Sequence, residues 1–488
     1  MKKRSELAGR LAYASGDIYG GGAFLIVGLL FLVFLTKVEG LSGTWAGIII
    51  FTGKAWDAVT DPLMGIISDR TRSKWGRRRP YFLIGSLLVF LSWTMLWSSF
   101  GIVSEAAKIV YYMFAFMFFS TAFTVVMVPY NAILADMTSD YNKRSAFTGT
   151  RLSFSAGAAI ICGILPGIIT GGFENQQTGY LVMALAFGVL FGLSWIAVFL
   201  GTWETTGKAT DSVFSIKDWL SVFKNRSFRK YVLIFVFSQM AIDITMAVAV
   251  FYLGVSIQKD YLFVPAMSAI LVTQLVFIIL FSMMAQKSGK KVPGIIAASV
   301  WIIANILIFS FTTATPDILV VAACALIGVG AAGCNMVSWS ILPDISDVDE
   351  LMTGRRREGL YSGVSTFLRK LSGGIAVGTI GLMLDLVRYD EAVVAAGNTE
   401  PITFYGIKLM FCLLPALFLI GMLIVMKGYR LGKNEFIVLH RILGTLRAGE
   451  ARDQFSKEHM QICEVISGMD SGEILALERL IEKKAETA

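Results

Sequence analysis

Lys54-Ala-Trp-Asp-Ala-Val-Thr-Asp-Pro-Leu-Met-Gly-Ile-Ile-Ser-Asp-Arg-Thr-Arg-Ser-Lys-Trp-Gly-Arg-Arg-Arg-Pro80 opens inside a long apolar segment and ends in a burst of arginines. Asp57 and Asp61 are four apart, so on a helix they share one face. Lys54, three residues earlier, is close enough on that helix to neutralise part of the charge. One charge at the centre of a bilayer costs about 2.5–3.5 kcal/mol on the lenient insertion scale. Two like charges one turn apart also repel unless a cation or proton sits between them. The economical reading is a site for a small cation. Hard cations prefer oxygen ligands, and a hydroxyl such as Thr60 or Thr124 would suit sodium. The same pair sharing a proton would bind a hydrogen ion. The residues leave both open.

The rest of the chain supplies the membrane. Of its 488 residues 55% are hydrophobic and 16% charged, against about 25% charged in soluble domains. The apolar residues come in runs long enough to cross a bilayer as helices. The net charge of +8 is carried by short connections between these runs, a pattern of topology determinants rather than a nucleic-acid patch. Four of the five cysteines lie in apolar runs and none has a metal-site or disulfide spacing; both histidines, His440 and His459, follow the last run. The first run carries Asp17 and extends to Leu35, too long for a cleaved leader, so it is expected to be retained.

About twelve spans are expected: 11–36, 43–69, 81–101, 107–136, 147–171, 180–203, 229–257, 264–286, 292–313, 317–341, 359–385 and 404–428. Arginine and lysine concentrate in alternate connections, at Arg70 to Arg79, Lys143 and Arg144, Lys217 to Lys230, Lys287 to Lys291, and Arg355 to Arg357. By the positive-inside rule both termini are cytoplasmic. The polar stretch 204–228 divides the spans six and six, giving an N-terminal bundle over 1–203, a cytoplasmic linker, and a C-terminal bundle over 229–428. Leu134-Ala-Asp136 after the fourth span and Leu342-Pro-Asp344 after the tenth echo each other, as in a duplicated transporter unit. Residues 429–488 are expected to form a cytoplasmic helical tail, with Phe436, Leu439, Leu443 and Leu446, then Ile474, Leu477 and Ile481, at helical spacing.

Ionisable residues within the spans are few: Asp17, Lys54, Asp57, Asp61, Arg151, Asp243, Arg369 and Lys370. At membrane depth such residues face a cavity or a partner. Asp17 and Arg151 offer an acceptor and a planar fork of donors, complementary to the hydroxyls of an uncharged polyol. Trp56, Phe123, Tyr130 and Trp339 could stack on a sugar ring. Gly328-Val-Gly-Ala-Ala-Gly333 matches a dinucleotide pattern but lies mid-span, where small residues serve helix packing. With no nucleotide-binding loop, energy comes from an ion gradient or the protein is a facilitator, and no cofactor other than a coupling Na+ or H+ is expected.

The stretch from Trp56 to Gly65, followed by Asp69 to Pro80, closely resembles the signature of the glycoside–pentoside–hexuronide:cation symporters of the major facilitator superfamily. Gly16-Asp17, Val128-Pro-Tyr-Asn131, Arg151, Asp344-Ile-Ser-Asp347 and Lys370-Leu-Ser-Gly are similar to that family in order and spacing, over about residues 8 to 430. The resemblance implies the major facilitator fold, all-α, in the plasma membrane. It implies Asp57, Asp61 and Thr124 as cation ligands, and Asp17, Arg151, Tyr130 and Asn131 around a sugar. Lys54 and Lys370 would be charge partners near the cation site, with Gly65, Asp69, Arg70, Arg77 and Arg78 in a gating loop. Met127 and Asn131 depart from the family's melibiose permease at two galactoside-binding positions, an aspartate and a tryptophan there.

The expected function is therefore import of a sugar or glycoside coupled to Na+ or H+ by alternating access, with lipid, sugar and cation as partners and no nucleic acid. A cation-coupled carrier of lysophospholipid or another amphiphile keeps the fold and changes the cargo. A non-transporting sensor signalling through the tail is a third reading. An enzyme is disfavoured, because no histidine or cysteine stands beside the acidic pair.

Overall fold

The computed structural model describes residues 6–138, 141–204, 216–354, 357–448 and 457–469. They are helical throughout, with no strand among them. Twelve helices have 18 residues or more: α1 (Glu6–Ile26), α2 (Gly43–Arg70), α3 (Arg79–Leu96), α4 (Glu105–Met137), α5 (Tyr141–Gly171), α6 (Gln176–Gly201), α7 (Arg226–Phe251), α8 (Phe263–Ser288), α9 (Lys291–Phe309), α10 (Asp317–Thr353), α11 (Glu358–Leu386) and α12 (Pro401–Lys427). Two shorter ones follow, α13 (Lys433–Ala448) and α14 (Lys457–Ser467). Eleven of the twelve are long and apolar enough to cross a membrane. The other is α2, whose 28 residues include Lys54, Asp57 and Asp61.

The long helices carry large apolar side chains on their exposed faces and both small residues and aromatics where they pack. On α3, Leu83, Ile84 and Leu87 are exposed, while Gly85 and Val89 on the other face are buried. Prolines 62, 129, 166, 343 and 415 lie inside helices, which neighbouring helices tolerate in a membrane by re-satisfying the freed backbone groups.

Several boundaries differ from the sequence expectation, among them the start of the fifth span, at Tyr141 rather than 147. The first span is not one regular helix to residue 36: after Ile26 it continues in wider π-helical turns at Val27–Phe31 and Phe34–Val38. The tenth runs twelve residues past its expected end, because Asp344, Asp347 and Asp349 stay helical and buried by finding partners. It stops at Gly354, in the left-handed conformation (φ 63°), whose N–H donates to the Glu350 carbonyl. The third ends at Leu96 rather than residue 101.

Packing groups the helices. α1 lies against α5 and α6, α3 against α4 and α6, and α2 against α4; α7 lies against α10, α11 and α12, α9 against α10 and α12, and α8 against α10. Contacts between the two groups run chiefly along α2 with α11 and α5 with α8. The α2–α11 seam closes at one end through glycines. A Cβ at Gly47 would lie 2.8 Å from the Gly378 carbonyl oxygen, and one at Gly381 would lie 2.1 Å from that of Gly43. The Asp385 carboxylate accepts from the Gly43 and Thr44 amides, both at 2.7 Å, and so caps α2 from α11. Further along α5 and α11 some glycines face open space. A Cβ at Gly149, Gly157, Gly359 or Gly363 would meet nothing within 4 Å.

α13 and α14 dock under α7, α8 and α10. Leu439, Ile442, Leu443, Cys463 and Ile466 are buried, and Lys433 donates to the terminal carbonyls Gln286 and Lys287 of α8 at 3.0 and 3.2 Å. Ser227 Oγ donates to the Ile466 carbonyl at 2.5 Å. The helical spacing of Leu439 and Leu443 is the docking face. Ile474, Leu477 and Ile481, like Arg355, Arg356 and residues 205–215 of the linker, lie outside the described residues.

Candidate functional site

Asp57 and Asp61 point the same way from α2, as their spacing requires. The Thr124 hydroxyl of α4 is 2.8 Å from Oδ1 of each, and Thr60 stands 3.4 Å from Thr124. On the other side the Lys370 ammonium of α11 bridges the pair, 2.7 Å from Asp57 Oδ2 and 2.5 Å from Asp61 Oδ2. The quartet is closed by one hydroxyl and one cation. Its burial is uneven: 1% of the Asp57 side chain is exposed and 25% of that of Asp61, so Asp61 is the edge from which the pair can be reached. Phe123 lies under Lys370, its ring centre 6.0 Å from the ammonium. Among the described residues no three carboxylate, histidine or cysteine groups converge as a metal site. A cation held here would rely on two carboxylates and hydroxyls, a donor set that fits sodium or a shared proton.

A second constellation joins α1 to α5. Arg151 Nη2 donates to Asp17 Oδ1 at 3.1 Å, and its guanidinium lies over the Tyr130 ring at 4.6 Å. Tyr130 is fully buried, its hydroxyl donating to the Tyr13 carbonyl at 2.8 Å and its ring stacked on Tyr13. It supports Arg151 from behind and has no free hydroxyl for a ligand in this conformation. Asn131, next along α4, is exposed. Met127 packs against Gly20 beside Asp17. Of the aromatic candidates, Trp56 donates to Thr121 at 2.9 Å and Trp339 leans edge-on against Phe235; both are partly exposed.

Lys54 does not sit beside Asp57. It reaches across the α2–α11 seam to Gly373, where Arg369 and Asp243 also meet. Lys370, in contrast, lies where the family resemblance puts a charge partner.

The loop after α2 is held by two acids. Asp136 at the end of α4 accepts from Arg77 at 2.9 Å and from Arg78. Glu204, just after α6, accepts from the backbone amides of Arg77, Arg78 and Arg79 at 2.8–3.0 Å and so caps α3. Gly65 faces Val128 at 4.0 Å, Arg70 is exposed, and the Asp69 side chain is outside the described set. Sequence reasoning passed over Glu204 and Asp385. Each is an acid at the end of one helix, Asp385 in the last turn and Glu204 just past it, that caps the start of another, where the partial positive charge of the first turn attracts it. Only a tertiary neighbour, not local spacing, identifies such a cap.

The sequence profile of the MFS/sugar transport proteins matches residues 12–433. The chain belongs to this family. Among its relatives, the putative glycoside/cation symporter YagG of Escherichia coli (strain K12) is 28% identical over 90% of this chain and 95% of the relative. The uncharacterized symporter sll1374 of Synechocystis sp. is 26% identical over 85% and 92%. The fold is that of the nucleoside transporter NupG (D323A mutant), with a TM-score of 0.62 at 15% identity over 86% of this chain and 100% of that one. As an MFS/sugar transport protein, the chain is a multi-pass membrane transporter of the glycoside–pentoside–hexuronide:cation symporter type and not an enzyme. The tail beyond residue 433 is outside the matched region.

Proposed function

We propose that this transporter imports a sugar or glycoside across the plasma membrane together with one Na+ or H+, which binds at Asp57, Asp61 and Thr124. The observation that carries the reading is the acidic pair: two carboxylates in a membrane span whose charge is answered by a hydroxyl and a mobile ammonium. Lys370 occupies the place a travelling cation would take, so loading exchanges one cation for another. Asp17 and Arg151 are the groups for sugar hydroxyls, with Asn131 at the edge, and Tyr130 stiffens Arg151.

The two packing groups are read as six-helix halves joined by the 204–228 linker, with both termini in the cytoplasm. Arg70, Arg77, Arg78 and Lys290 lie at the end opposite the glycine seam, where glycines of α5 and α11 face open space, so the positive-inside rule makes this conformation inward-open. Alternating access then rocks the halves about the central charges, opening the glycine seam while the Asp69–Arg78 loop end closes. One cation moving down 100 mV supplies about 2.3 kcal/mol, enough for roughly a fiftyfold sugar gradient.

Proteoliposomes test this. With a panel of glycosides, pentosides and hexuronides, and sodium or proton gradients imposed in turn, uptake above equilibrium should need one of the two ions. Asp57→Asn and Asp61→Asn should each abolish accumulation; unchanged accumulation in both would overturn the coupling site.

A further inference from the structure

One buried acid near the centre has no part in the scheme so far. Asp243 of α7 takes Arg369 of α11 in a two-point ion pair, Oδ2 to Nη1 at 2.6 Å and Oδ1 to Nη2 at 2.9 Å. Arg369 is the immediate chain neighbour of Lys370. Lys54, one turn before Asp57 on α2, reaches the same place. A Cβ added at Gly373 would stand 2.6 Å from Asp243 Oδ2, 2.8 Å from Arg369 Nη1 and 3.0 Å from Lys54 Nζ. The absence of a side chain at Gly373 is what lets three charged groups from three helices meet.

The formal charges close. At the centre Asp57, Asp61 and Asp243 face Lys54, Arg369 and Lys370, three against three. Take Asp243 away and three cations face two acids. Arg369 and Lys54, each within a turn of a residue of the cation site on its own helix, would then have only Asp57 and Asp61 left to answer them. A coupling ion would compete with three tethered cations instead of one.

We propose that Asp243 is a positioning residue for the coupling-cation site: it holds Arg369 and Lys54 off the Asp57–Asp61 pair, so that Lys370 alone competes with the travelling ion. This rests on the cation-coupled reading above. The Asp243 carboxylate is engaged by Arg369, so in this scheme it sets the charge that the ion sees. It also joins α7 to α11 and α2, so the charge balance lies across the seam that opens and closes in transport.

The test needs no knowledge of the sugar. Purified carrier is unfolded thermally in a sodium chloride series, with choline chloride holding ionic strength, and again in a pH series. The midpoint of stabilisation reports the apparent affinity for Na+ or for H+. An uncompensated unit charge about 12 Å away, at an effective dielectric of about 20, changes such an affinity by roughly tenfold. Asp243→Asn should therefore weaken Na+ binding about tenfold, or lower the midpoint of the pH series by about one unit. Asp243→Glu should stay near the parent. The double variant Asp243→Asn with Lys54→Gln, which restores three-against-three to two-against-two, should return toward the parent value. A merely structural role for the ion pair predicts that removing Lys54 as well gives no such return. Should Asp243→Asn fail to fold, Lys54→Gln alone decides: it leaves the centre one charge negative and should tighten cation binding several-fold, and an unchanged midpoint overturns the proposal. An unchanged midpoint in a folded Asp243→Asn carrier, or no rescue in the double variant, does the same while leaving the coupled reading intact. If the parent carrier responds to neither ion, both readings fall together.

Discussion

At the scale of single residues, Thr124 and Lys370 close the acidic pair from either side. Thr124 is fully buried and its one hydroxyl hydrogen serves two carboxylates. Thr124→Val keeps the volume and removes the donor, leaving the buried Asp57 with one partner fewer, a cost of about 1–3 kcal/mol. It should lower the unfolding temperature and weaken cation-dependent uptake, and Thr124→Ser should keep both. Lys370→Gln leaves two buried carboxylates with no internal counter-charge. That variant should be markedly less stable in sodium-free buffer at neutral pH and recover in high sodium or at low pH; a melting temperature insensitive to both would count against ammonium–cation exchange. Asp57 and Asp61 were legible because a four-residue spacing fixes a helix face. The i,i+3 spacing leaves Lys54 within reach of Asp57, but Asp243 and Arg369 on two distant spans gather its ammonium at Gly373, across the seam. Tyr130 was legible as a residue near Arg151, but whether a ring faces a cavity or backs a partner depends on the neighbouring Tyr13, which lies 117 positions earlier.

At the scale of elements, hydropathy located the helices well and erred where charge is buried. The tenth span seemed to end at residue 341 because three aspartates follow. Each is held: Asp344 by Lys290 at 2.6 Å, Asp347 by His440 at 3.0 Å, and Asp349 by Arg357 and Tyr361. These partners come from other elements or from beyond the helix end, so no local window contains them. The α2–α11 seam was equally hidden, since glycines spaced along two distant spans signal nothing until they face each other. Their closeness makes a prediction. Gly381→Leu would drive a side chain into the α2 backbone at Gly43 and should hold the seam open. Net uptake should fall steeply, and hydrogen–deuterium exchange over residues 43–50 should rise. A variant with normal exchange there would mean that the seam closes by some other contact.

At the scale of the whole molecule, the tail is a component that neither the family profile nor the charge pattern explains. It rests on one group of helices, tied at its start by Lys433 and midway by the His440–Asp347 pair, with Phe436 packed on the imidazole ring. Burial pushes the Cys463 thiol up to about 12, so at neutral pH it is protonated as well as shielded and should resist alkylation. Asp347→Ala or deletion from residue 433 should undock or remove that surface; Asp347→Ala should make Cys463 reactive to maleimide, and deletion should lower thermal stability while leaving cation affinity unchanged. Continued protection of Cys463 in Asp347→Ala would show that apolar contact alone holds the tail. The existence of the long helices was legible from hydropathy, whereas their pairing was not, because distant spans carry no local signal of which neighbour they meet.

The carboxylate of Asp385 bonds to peptide N–H groups, not to a cation, while at the far end Lys290–Asp344 and Arg357–Asp349 are ordinary ion pairs with partly exposed basic partners. Dissolved electrolyte screens the second kind of link and leaves the first largely untouched. Concentrated inert salt should therefore spare the Asp385 closure while loosening the partly exposed ion pairs, both Lys37–Glu391 beside it and the basic pairs at the far end.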